Sequence, residues 1–426
     1  MLNVLKMAVR NLARFGRRTL LTSSLITLGI VAVLLFVAVS GSFKTIMIAQ
    51  FTDSMLGHLQ VHRKGYVASI DSLPLNLNMQ PSMVAKVEQV LKGTSAVEAY
   101  AERVKFGAMF SNFNETTSVR MNGVDPAAEA ATTPLLTGRL VAEKRAGPWL
   151  KPGEIIIPEL IARGMKVKAG DTVVLVATNR DGSVNGKPFT VGGVMQSASG
   201  PSGKDGYITI GDARALLRMK EPEVSEIAVR LKDPGQLDAV DAQLSKELSA
   251  LAGAGGPAAS TGKMPGSGGL EVHTWADLSP FSSIVRMLDL LAVFIKVMMV
   301  SIVLIAVMNV MVMAVYERIR EIGTIAAIGT PPGRILSLFL TEGLLLGLGG
   351  AAVGTAVSLA AIYAWNIWKV SVHFGMQQSA IVLSPAVVAS DVVVIVAMVV
   401  IMALLASLQP AWKASRMDPV TALGHV

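Results

Sequence analysis

The sequence has no cysteine and few charged residues. Without cysteine the chain forms no disulfide and has no thiolate for catalysis or metal binding. Asp, Glu, Lys and Arg make up 16% of the 426 residues, whereas soluble domains carry about 25%. Hydrophobic residues make up 52%, and the mean hydropathy is +0.53. This balance favours a membrane protein over a soluble one.

The sequence also lacks complete nucleotide-binding and catalytic motifs. One Gly-Lys pair has Ala198 where a phosphate-binding loop needs its first glycine and Asp205 where it needs Ser or Thr. A second pair has Pro257 and Met264 at those positions. No serine-hydrolase elbow or zinc-protease signature is present. We therefore predict no catalytic residue and no bound cofactor on this chain.

The histidines give only weak evidence of a metal-binding site. His58 and His62 have the i, i+4 spacing of two metal ligands on one face of a helix. No third ligand lies near them in the sequence, so we predict no metal site.

Four apolar segments without a charged residue are each long enough to cross a bilayer, which takes about 20 residues. They are residues 19–43, 297–316, 343–368 and 392–412. A cleaved signal peptide is the alternative for the first segment, since Ala38 and Ser40 offer a small-residue cleavage site. Its apolar run is longer than is usual for a signal peptide, so an uncleaved anchor is the favoured interpretation.

Basic residues in the short flanks predict the orientation of the chain. One side of the membrane holds Lys6, Arg10, Arg14, Arg17, Arg18, Arg318, Arg320, Arg334, Lys413 and Arg416. The other short loop, residues 369–391, holds Lys369 alone. Both termini are therefore predicted to be cytoplasmic. The positive charge then serves topology and lipid headgroups, and nucleic acid is not an expected partner.

Residues 44–283 are predicted to form a large extracytoplasmic α+β domain, inserted between the first and second of four transmembrane helices. Residues 82–92, which begin with a serine cap, have the apolar spacing of a helix, and residues 173–177 are β-branched and apolar like a strand. Residues 251–269 are rich in Gly, Pro, Ser and Ala and are predicted to be a flexible loop.

The predicted order of segments is an amphipathic amino-terminal helix (1–18), span one (19–43), the inserted domain (44–283), a stalk with span two (284–316), a short amphipathic segment (317–334), span three (335–368), a short loop (369–391), span four (392–412) and a tail (413–426).

The segment ERIREIGTIAAIGTPPGRI, residues 317–335, is charged although it lies between two apolar runs. On a helix its charged residues share one face and its isoleucines another, the latter being Ile319, Ile322 and Ile325. Gly329 ends this helix, and Pro331 and Pro332 prevent its continuation. Resting on lipid headgroups is one interpretation, but two glutamates are unfavourable at an anionic surface. We therefore predict that this helix docks into a cytoplasmic partner.

The third span carries small residues and one carboxylate. Its small-xxx-small pairs permit close helix packing, with a span of the same chain or of a partner, through Gly343, Gly347, Gly350 and Gly354. Glu342 lies at the cytoplasmic end of the span, within about two turns of Arg334. A structural pair with that arginine and a role in proton coupling are both open from the sequence.

Together these features resemble the FtsX/MacB-type ABC transporter permeases. The family's coupling pattern, close to E-R-x-R-E-I-G-x-x-R-A-I-G-A, is matched at Glu317, Arg318, Arg320, Glu321, Ile322, Gly323, Ala327, Ile328 and Gly329. Ala326 departs from it, since many relatives carry arginine there. The stretches AVRNLARFGRRTLLT, EGLLLGLGGAAVG and PAWKASRMDPVTAL resemble the family's amino-terminal helix, third span and tail, and Asp418 is the expected cap of a last short helix that starts at Pro419.

The resemblance implies a permease of the bacterial inner membrane with a MacB-like periplasmic domain. It pairs with a second permease, identical or paralogous, contacts membrane lipids and docks its coupling helix into a cytoplasmic ABC ATPase dimer. ATP and Mg²⁺ bind to that separate ATPase. Its closure moves the stalks and the periplasmic domains, a process called mechanotransmission.

Two further stretches, MLGHLQVHRKGY and VHTWADLSPF, look like the lipoprotein-releasing (LolC/LolE-like) branch of the family. This likeness implies extraction of lipoproteins or lipids from the outer leaflet. The substrate entrance would then be lined by Met47, Phe51, Met55, Phe281, Met287 and Phe294. Packing at a dimer interface is the alternative for these residues. The alternative functions are tripartite efflux of drugs or peptides through a periplasmic adaptor, and FtsX-like signalling that controls a cell-wall hydrolase.

Overall fold

The structure is a computed structural model that describes residues 2–141, 147–196, 201–253, 269–372, 381–418 and 422. Its helices are α1 (Leu2–Arg14), α2 (Gly16–Phe51), α3 (Pro81–Gly93), α4 (Pro126–Thr132), α5 (Glu159–Gly164), α6 (Ile210–Leu216), α7 (Leu237–Gly253), α8 (Trp275–Leu278), α9 (Ser282–Glu317), α10 (Ile319–Ala327), α11 (Pro332–Trp368) and α12 (Ala389–Ser415).

Its strands are β1 (Leu59–Arg63), β2 (Val97–Ser111), β3 (Thr116–Val124), β4 (Leu140–Val141), β5 (Glu154–Pro158), β6 (Thr172–Thr178), β7 (Val184–Met195), β8 (Asp205–Thr209), β9 (Glu226–Leu231), β10 (Leu270–Thr274), β11 (Ser371–Val372) and β12 (Ile381–Val382). The chain divides into a membrane unit, residues 1–46 and 284–426, and an inserted unit, residues 47–283.

Within the described residues, four helical stretches are long and apolar enough to cross a membrane. They are Thr19–Leu56, Ser282–Glu317, Pro332–Trp368 and Ala389–Ser415, and each contains one predicted apolar segment. The predicted fold class, four transmembrane helices with an α+β domain between the first two, is confirmed. The helices extend beyond the apolar segments because a helix continues through charged residues such as Lys44 or Arg286 once it leaves the hydrocarbon region.

The glycines of α11 pack against neighbouring helices of the same chain. A Cβ atom at Gly343 would lie 2.6 Å from the Ser407 hydroxyl, and one at Gly347 would lie 3.0 Å from Ala403, both on α12. On α2, Ile26 and Ile30 approach Gly350 and Gly354 equally closely, at 2.7 and 2.9 Å. Because lipid gives no hydrophobic drive for helix association, this close contact holds α2, α11 and α12 together.

The inserted unit is built on a sheet. Within the described residues it has ten strands, in the order β10-β1-β9-β2-β3-β8-β5-β7-β4, with β6 paired to β2 and β7. The pairs β3–β8 and β5–β7 are parallel, and the other multi-residue pairings are antiparallel. One core lies where α3 and α7 pack on β1 and β9, and a second where α5 and α6 pack on β2, β3 and their neighbours.

The helix and the strand predicted from local sequence patterns in this unit are both confirmed. The helix predicted at 82–92 is α3, and the strand predicted at 173–177 lies in β6. The serine cap was wrong, because Gln80 is the N-cap and Pro81 starts the helix. Residues 254–268 of the predicted flexible loop, and Pro419 of the predicted tail helix, lie outside the described residues.

A buried cluster of charges ties α4 to the sheet. Arg103 of β2 donates hydrogen bonds to both carboxylate oxygens of Glu129 on α4, at 2.6 and 2.9 Å. It also donates to Glu226 of β9 at 3.0 Å, and Lys105 Nζ lies 2.9 Å from the same oxygen. Removing one partner from such a pair leaves an unpaired buried charge, which costs about 3–5 kcal/mol. The cluster therefore fixes the register of α4 on β2 and β9.

His62 lies beside this cluster, on β1. The hypothesis of a histidine pair on a helix is wrong, because His62 is in a strand and His58 immediately precedes it. The His62 Nε2 atom lies 3.6 Å from Glu226, and its ring stacks on Tyr66 with centroids 5.2 Å apart. Burial lowers the pKa of His62 below its ordinary 6.5, against the opposing effect of Glu226. His58 accepts a hydrogen bond from the Leu231 amide.

The first prediction concerns two neighbouring glycines of α11. Gly350→Ala should destabilise the membrane unit, because overpacking costs about 1–3 kcal/mol. Gly349→Ala should be neutral or stabilising, since alanine favours a helix by about 1 kcal/mol and no atom of the described residues lies within 4 Å of a Cβ at Gly349. Melting temperatures of the two variants in detergent test this. Changes of the same sign in both would contradict the packing described for α11.

The second prediction concerns pH. The pKa of His62 is lowered from 6.5 in the folded state. As the pH falls below that value, the unfolded chain therefore binds more protons than the folded chain, and the inserted unit loses stability. His62→Phe keeps the stacking on Tyr66 and should reduce this loss. Part of the loss should remain, since burial also lowers the pKa of His58. The loss of stability is measured by hydrogen exchange of the β1 and β9 amides at pH values above and below the ordinary histidine pKa. An unchanged pH dependence in His62→Phe would exclude this role.

Candidate coupling site in the membrane unit

The charged segment between spans two and three forms α10, a short helix held between two long ones. Arg318 has non-helical dihedrals, φ −112° and ψ 18°, which separate α9 from α10. At the other end, Gly329 has φ +91°, a conformation open mainly to glycine, and its amide donates to Ala326. Pro332 then starts α11. The helix, Ile319–Ala327, is shorter than the predicted segment 317–334.

The apolar face of α10 differs from the predicted one. Ile319 and Ile322, predicted to form an apolar ridge for a partner, are only 8% and 5% exposed, and Ile322 belongs to the core of the membrane unit. Ile325 and Ile328 are 41% and 81% exposed. The prediction placed Ile319, Ile322 and Ile325 together on one docking face. The described packing divides them instead, because the first turn of α10 is needed to cover the helices behind it.

The nine residues matched to the coupling pattern divide in the same way. Arg318, Ile322 and Gly323 are buried in the membrane unit and are not part of an accessible surface. The exposed ones are Glu317, Arg320, Glu321, Ala327, Ile328 and Gly329.

Glu342 lies at the centre of a buried polar cluster. Its Oε1 atom accepts hydrogen bonds from Arg318 at 3.0 Å and from Asn11 of α1 at 2.8 Å. The guanidinium of Arg318 also lies over the ring of Phe15, 4.3 Å from its centroid. Glu342 is 1% exposed and Arg318 4% exposed. We call Asn11, Phe15, Arg318 and Glu342 the carboxylate cluster.

The sequence pointed to Glu342 but to the wrong partner. Arg334 is near it in the chain, yet the structure pairs Glu342 with Arg318, 24 residues away. Asn11 and Phe15 were missed altogether. The available signal was the polar Asn11 within the amphipathic amino-terminal helix, and only packing brings it to α11.

The six predicted entrance residues fall in both units. In the inserted unit, Phe51 and Phe281 stack with ring centroids 4.4 Å apart, and Met47 and Met55 are half-buried. Met55 lies in a π-helical turn, Thr52–Leu56, that follows α2; such turns are frequent at functional sites. In the membrane unit, Met287 and Phe294 are 61% and 65% exposed. They are seven residues apart and so share one face of α9.

The outer ends of α2 and α9 are also linked within the membrane unit. Lys44 donates to both carboxylate oxygens of Asp289, at 2.7 and 2.8 Å. Both side chains are partly exposed, so this pair contributes little to stability.

The chemistry of the α10 surface suits protein docking. Exposed isoleucine flanked by arginine and glutamate combines apolar contact area with charges of both signs. Within the described residues, no three His, Asp or Glu side chains converge as a metal site would require.

Family comparisons cover most of the chain. The MacB-like periplasmic core domain matches residues 19–247, and the FtsX-like permease C-terminal domain matches residues 293–419. The second match contains α10, Arg318 and Glu342.

Relatives match either the whole chain or part of it. LolC of Neisseria meningitidis, a lipoprotein-releasing system transmembrane protein, is 23% identical over 96% of this chain and 94% of its own length. MacB of Chromobacterium violaceum, a macrolide export ATP-binding/permease protein, is 34% identical over 33% of this chain. PvdT of Pseudomonas putida, a pyoverdine export ATP-binding/permease protein, is 26% identical over 55% of it. The chain spans only 20% of MacB and 33% of PvdT.

Among solved structures, the extracellular domain of the ABC-type transporter YknZ from Gram-positive bacteria is 13% identical. It covers 51% of this chain and 98% of its own length, with a TM-score of 0.33. A score that low decides nothing about fold.

The architecture and the two family matches agree with each other. The MacB-like match covers the first span and most of the α+β domain that follows it, and the FtsX-like match covers most of the last three spans. The chain therefore belongs to the MacB/FtsX-type family of ABC transporter permeases.

Proposed function

We propose that this chain is a permease subunit driven by a separate ABC ATPase, and that it converts ATP hydrolysis into movement of its inserted unit. The observation that supports this most directly is α10. It is a short helix fixed at both ends, buried along its first turn and exposed at Ile325 and Ile328. Such a helix transmits force well, because a partner that binds its exposed end displaces a rigid helix and not a flexible loop.

The proposal includes an orientation. α10 and both termini lie in the cytoplasm, where the ATPase dimer binds ATP and Mg²⁺. The spans cross the bacterial inner membrane, and the inserted unit lies on its periplasmic side. The basic flanks of the spans support this arrangement. In this scheme this chain contributes the docking surface for the ATPase. It contributes no residue to the nucleotide-binding site.

A second permease, identical or paralogous, is the proposed partner within the membrane. Of the 18 most apolar consecutive residues of α9, 17% are buried, compared with 39% in the corresponding stretch of α11. α9 therefore has more surface left for lipid or for another helix. Its exposed residues include Met287, Leu290 and Phe294, and a pair of permeases would cover part of this surface.

Lipoprotein or lipid extraction is the proposed transport activity. It is supported by the likeness to LolC along nearly the whole chain and by LolE of Haemophilus influenzae, which is 20% identical over 79% of this chain. Both are named for lipoprotein release. The methionines and phenylalanines near the ends of α2 and α9 suit acyl chains, because methionine adapts to varied apolar ligands.

Tripartite efflux is the second candidate. It is favoured by the higher local identity to MacB, 34% over 144 residues, and it would require a periplasmic adaptor. A signalling permease that controls a cell-wall hydrolase has no comparable support.

The third prediction tests the docking surface. Ile328→Glu should reduce retention of the ATPase on the purified permease about tenfold or more, since burying an isoleucine contributes about 1.5–3 kcal/mol. Val184→Glu is the control, because Val184 is a 64% exposed apolar residue of the inserted unit, away from α10 in the chain. Co-purification from membranes that express both subunits measures the effect. Equal ATPase retention in both variants would exclude this docking surface.

The fourth prediction concerns cargo. Benzoylphenylalanine at Met47, Phe51 or Phe281 should crosslink acylated proteins in native membranes, and ATP should release them. The control position is Phe113, which is 71% exposed at the β2–β3 turn. Small amphiphiles captured instead would favour efflux or lipid export. Capture of a soluble hydrolase alone would replace transport by signalling.

A further inference from the structure

We propose that Glu342 is a positioning residue for energy coupling, whose carboxylate makes α10 move together with the inner ends of α2, α9 and α11. This inference rests on the proposed function, because it concerns how movement imposed on α10 by an ATPase reaches the other helices. It assigns Glu342 a mechanical role and needs no proton transfer.

The first argument is the location of the carboxylate cluster in the chain. Arg318 is the break between α9 and α10, and Phe15 is the break between α1 and α2. Both are joined to α11 at one point, because Arg318 donates to Glu342 and lies over Phe15. Asn11, in the last turn of α1, donates to the same oxygen of Glu342. The inner ends of α2 and α9 therefore meet at a single carboxylate.

The second argument is burial. Glu342 and Arg318 are 1% and 4% exposed, so water cannot readily replace one partner when the helices move. A charge separated from its partner in such surroundings is costly. The cluster should therefore stay closed during the movement, so that the displacement of one helix is passed to the others.

A third argument comes from another contact between α1 and α10. Arg14 lies 3.6 Å from Glu321, but these side chains are 70% and 50% exposed. An exposed pair is screened by solvent and salt and opens at little cost. The buried carboxylate is therefore the stronger connection, and the exposed pair provides a matched control.

The consequence for function follows from the chain itself. α2 continues into Met47 and α9 starts at Ser282, so both helices lead directly into the inserted unit. If their inner ends move as one body, a single displacement of α10 reaches the inserted unit through both of its connections. If α1 and α2 were not held by Glu342, α10 would act mainly through α9.

The experiment uses the full chain in complex with its ATPase and benefits from the absence of cysteine. Spin labels are placed at Thr324→Cys on α10 or Met7→Cys on α1, each paired with a reference label at Leu405→Cys on α12. All three positions are exposed. Label distances are measured without nucleotide and with ATP plus orthovanadate. In the unaltered background we expect both pairs to change distance.

The decisive variant is Glu342→Gln, which removes the charge and keeps the shape. We expect the α10 pair to respond to nucleotide as before and the α1 pair to lose its response. Glu342→Asp should restore part of it, and Arg14→Gln, which opens the exposed pair without altering a residue of the docking surface, should leave both responses intact. If Glu342→Gln does not fold, Asn11→Leu, which removes the hydrogen bond from α1 to Glu342 and leaves the Arg318 pair in place, should give the same separation of the two signals.

An α1 response that survives both Glu342→Gln and Asn11→Leu would overturn the inference. So would its loss in Arg14→Gln alone, which would assign the connection to the exposed pair. If the α10 pair does not respond even in the unaltered background, then the proposed coupling to an ATPase has failed first, and this inference fails with it.

Discussion

Close backbone contact along α11 sets the arrangement of the membrane unit. Its glycines let α12 approach at Gly343 and Gly347 and α2 approach at Gly350 and Gly354. In lipid, helices gain little from burying apolar surface against each other, so close van der Waals contact and satisfied polar groups must hold them together. Because Glu342 directly precedes Gly343, the register that seats α12 also places the carboxylate beside Arg318 and Asn11. The packing of α12 and the polar contacts of Glu342 thus depend on the same turn of α11.

Both units use a buried carboxylate to join elements that are distant in the chain. In the membrane unit Glu342 joins α1, α10 and α11. In the inserted unit Arg103 joins β2 to α4 and β9 through Glu129 and Glu226. Buried ion pairs of this kind often add little net stability compared with an apolar core, but they penalise any arrangement that separates the partners. That property suits the proposed function, in which the helices move without losing their register.

The relatives indicate which parts of the chain are general and which are specific. The FtsX-like match contains α10 and Glu342, and the relatives of this chain carry names as different as macrolide export and lipoprotein release. Under the proposed function α10 contacts only the ATPase, so members with different cargo can share it. Residues that contact cargo have to differ between branches, so the sequences near the ends of α2 and α9 are where the cargo is decided under the proposed function.

Local patterns in the sequence determined the spans, the inserted α+β domain, α3, β6 and the existence of a short charged helix closed by Gly329. Hydropathy, periodicity and turn chemistry act over a few residues, so they can be recognised without knowing what packs on what. Only the tertiary structure decided that Ile322 faces inward and Ile328 outward, that His62 belongs to a strand, and that Glu342 pairs with Arg318 and Asn11. These last contacts join residues 24 and 331 positions apart, and their geometry follows from the helix register that close packing imposes.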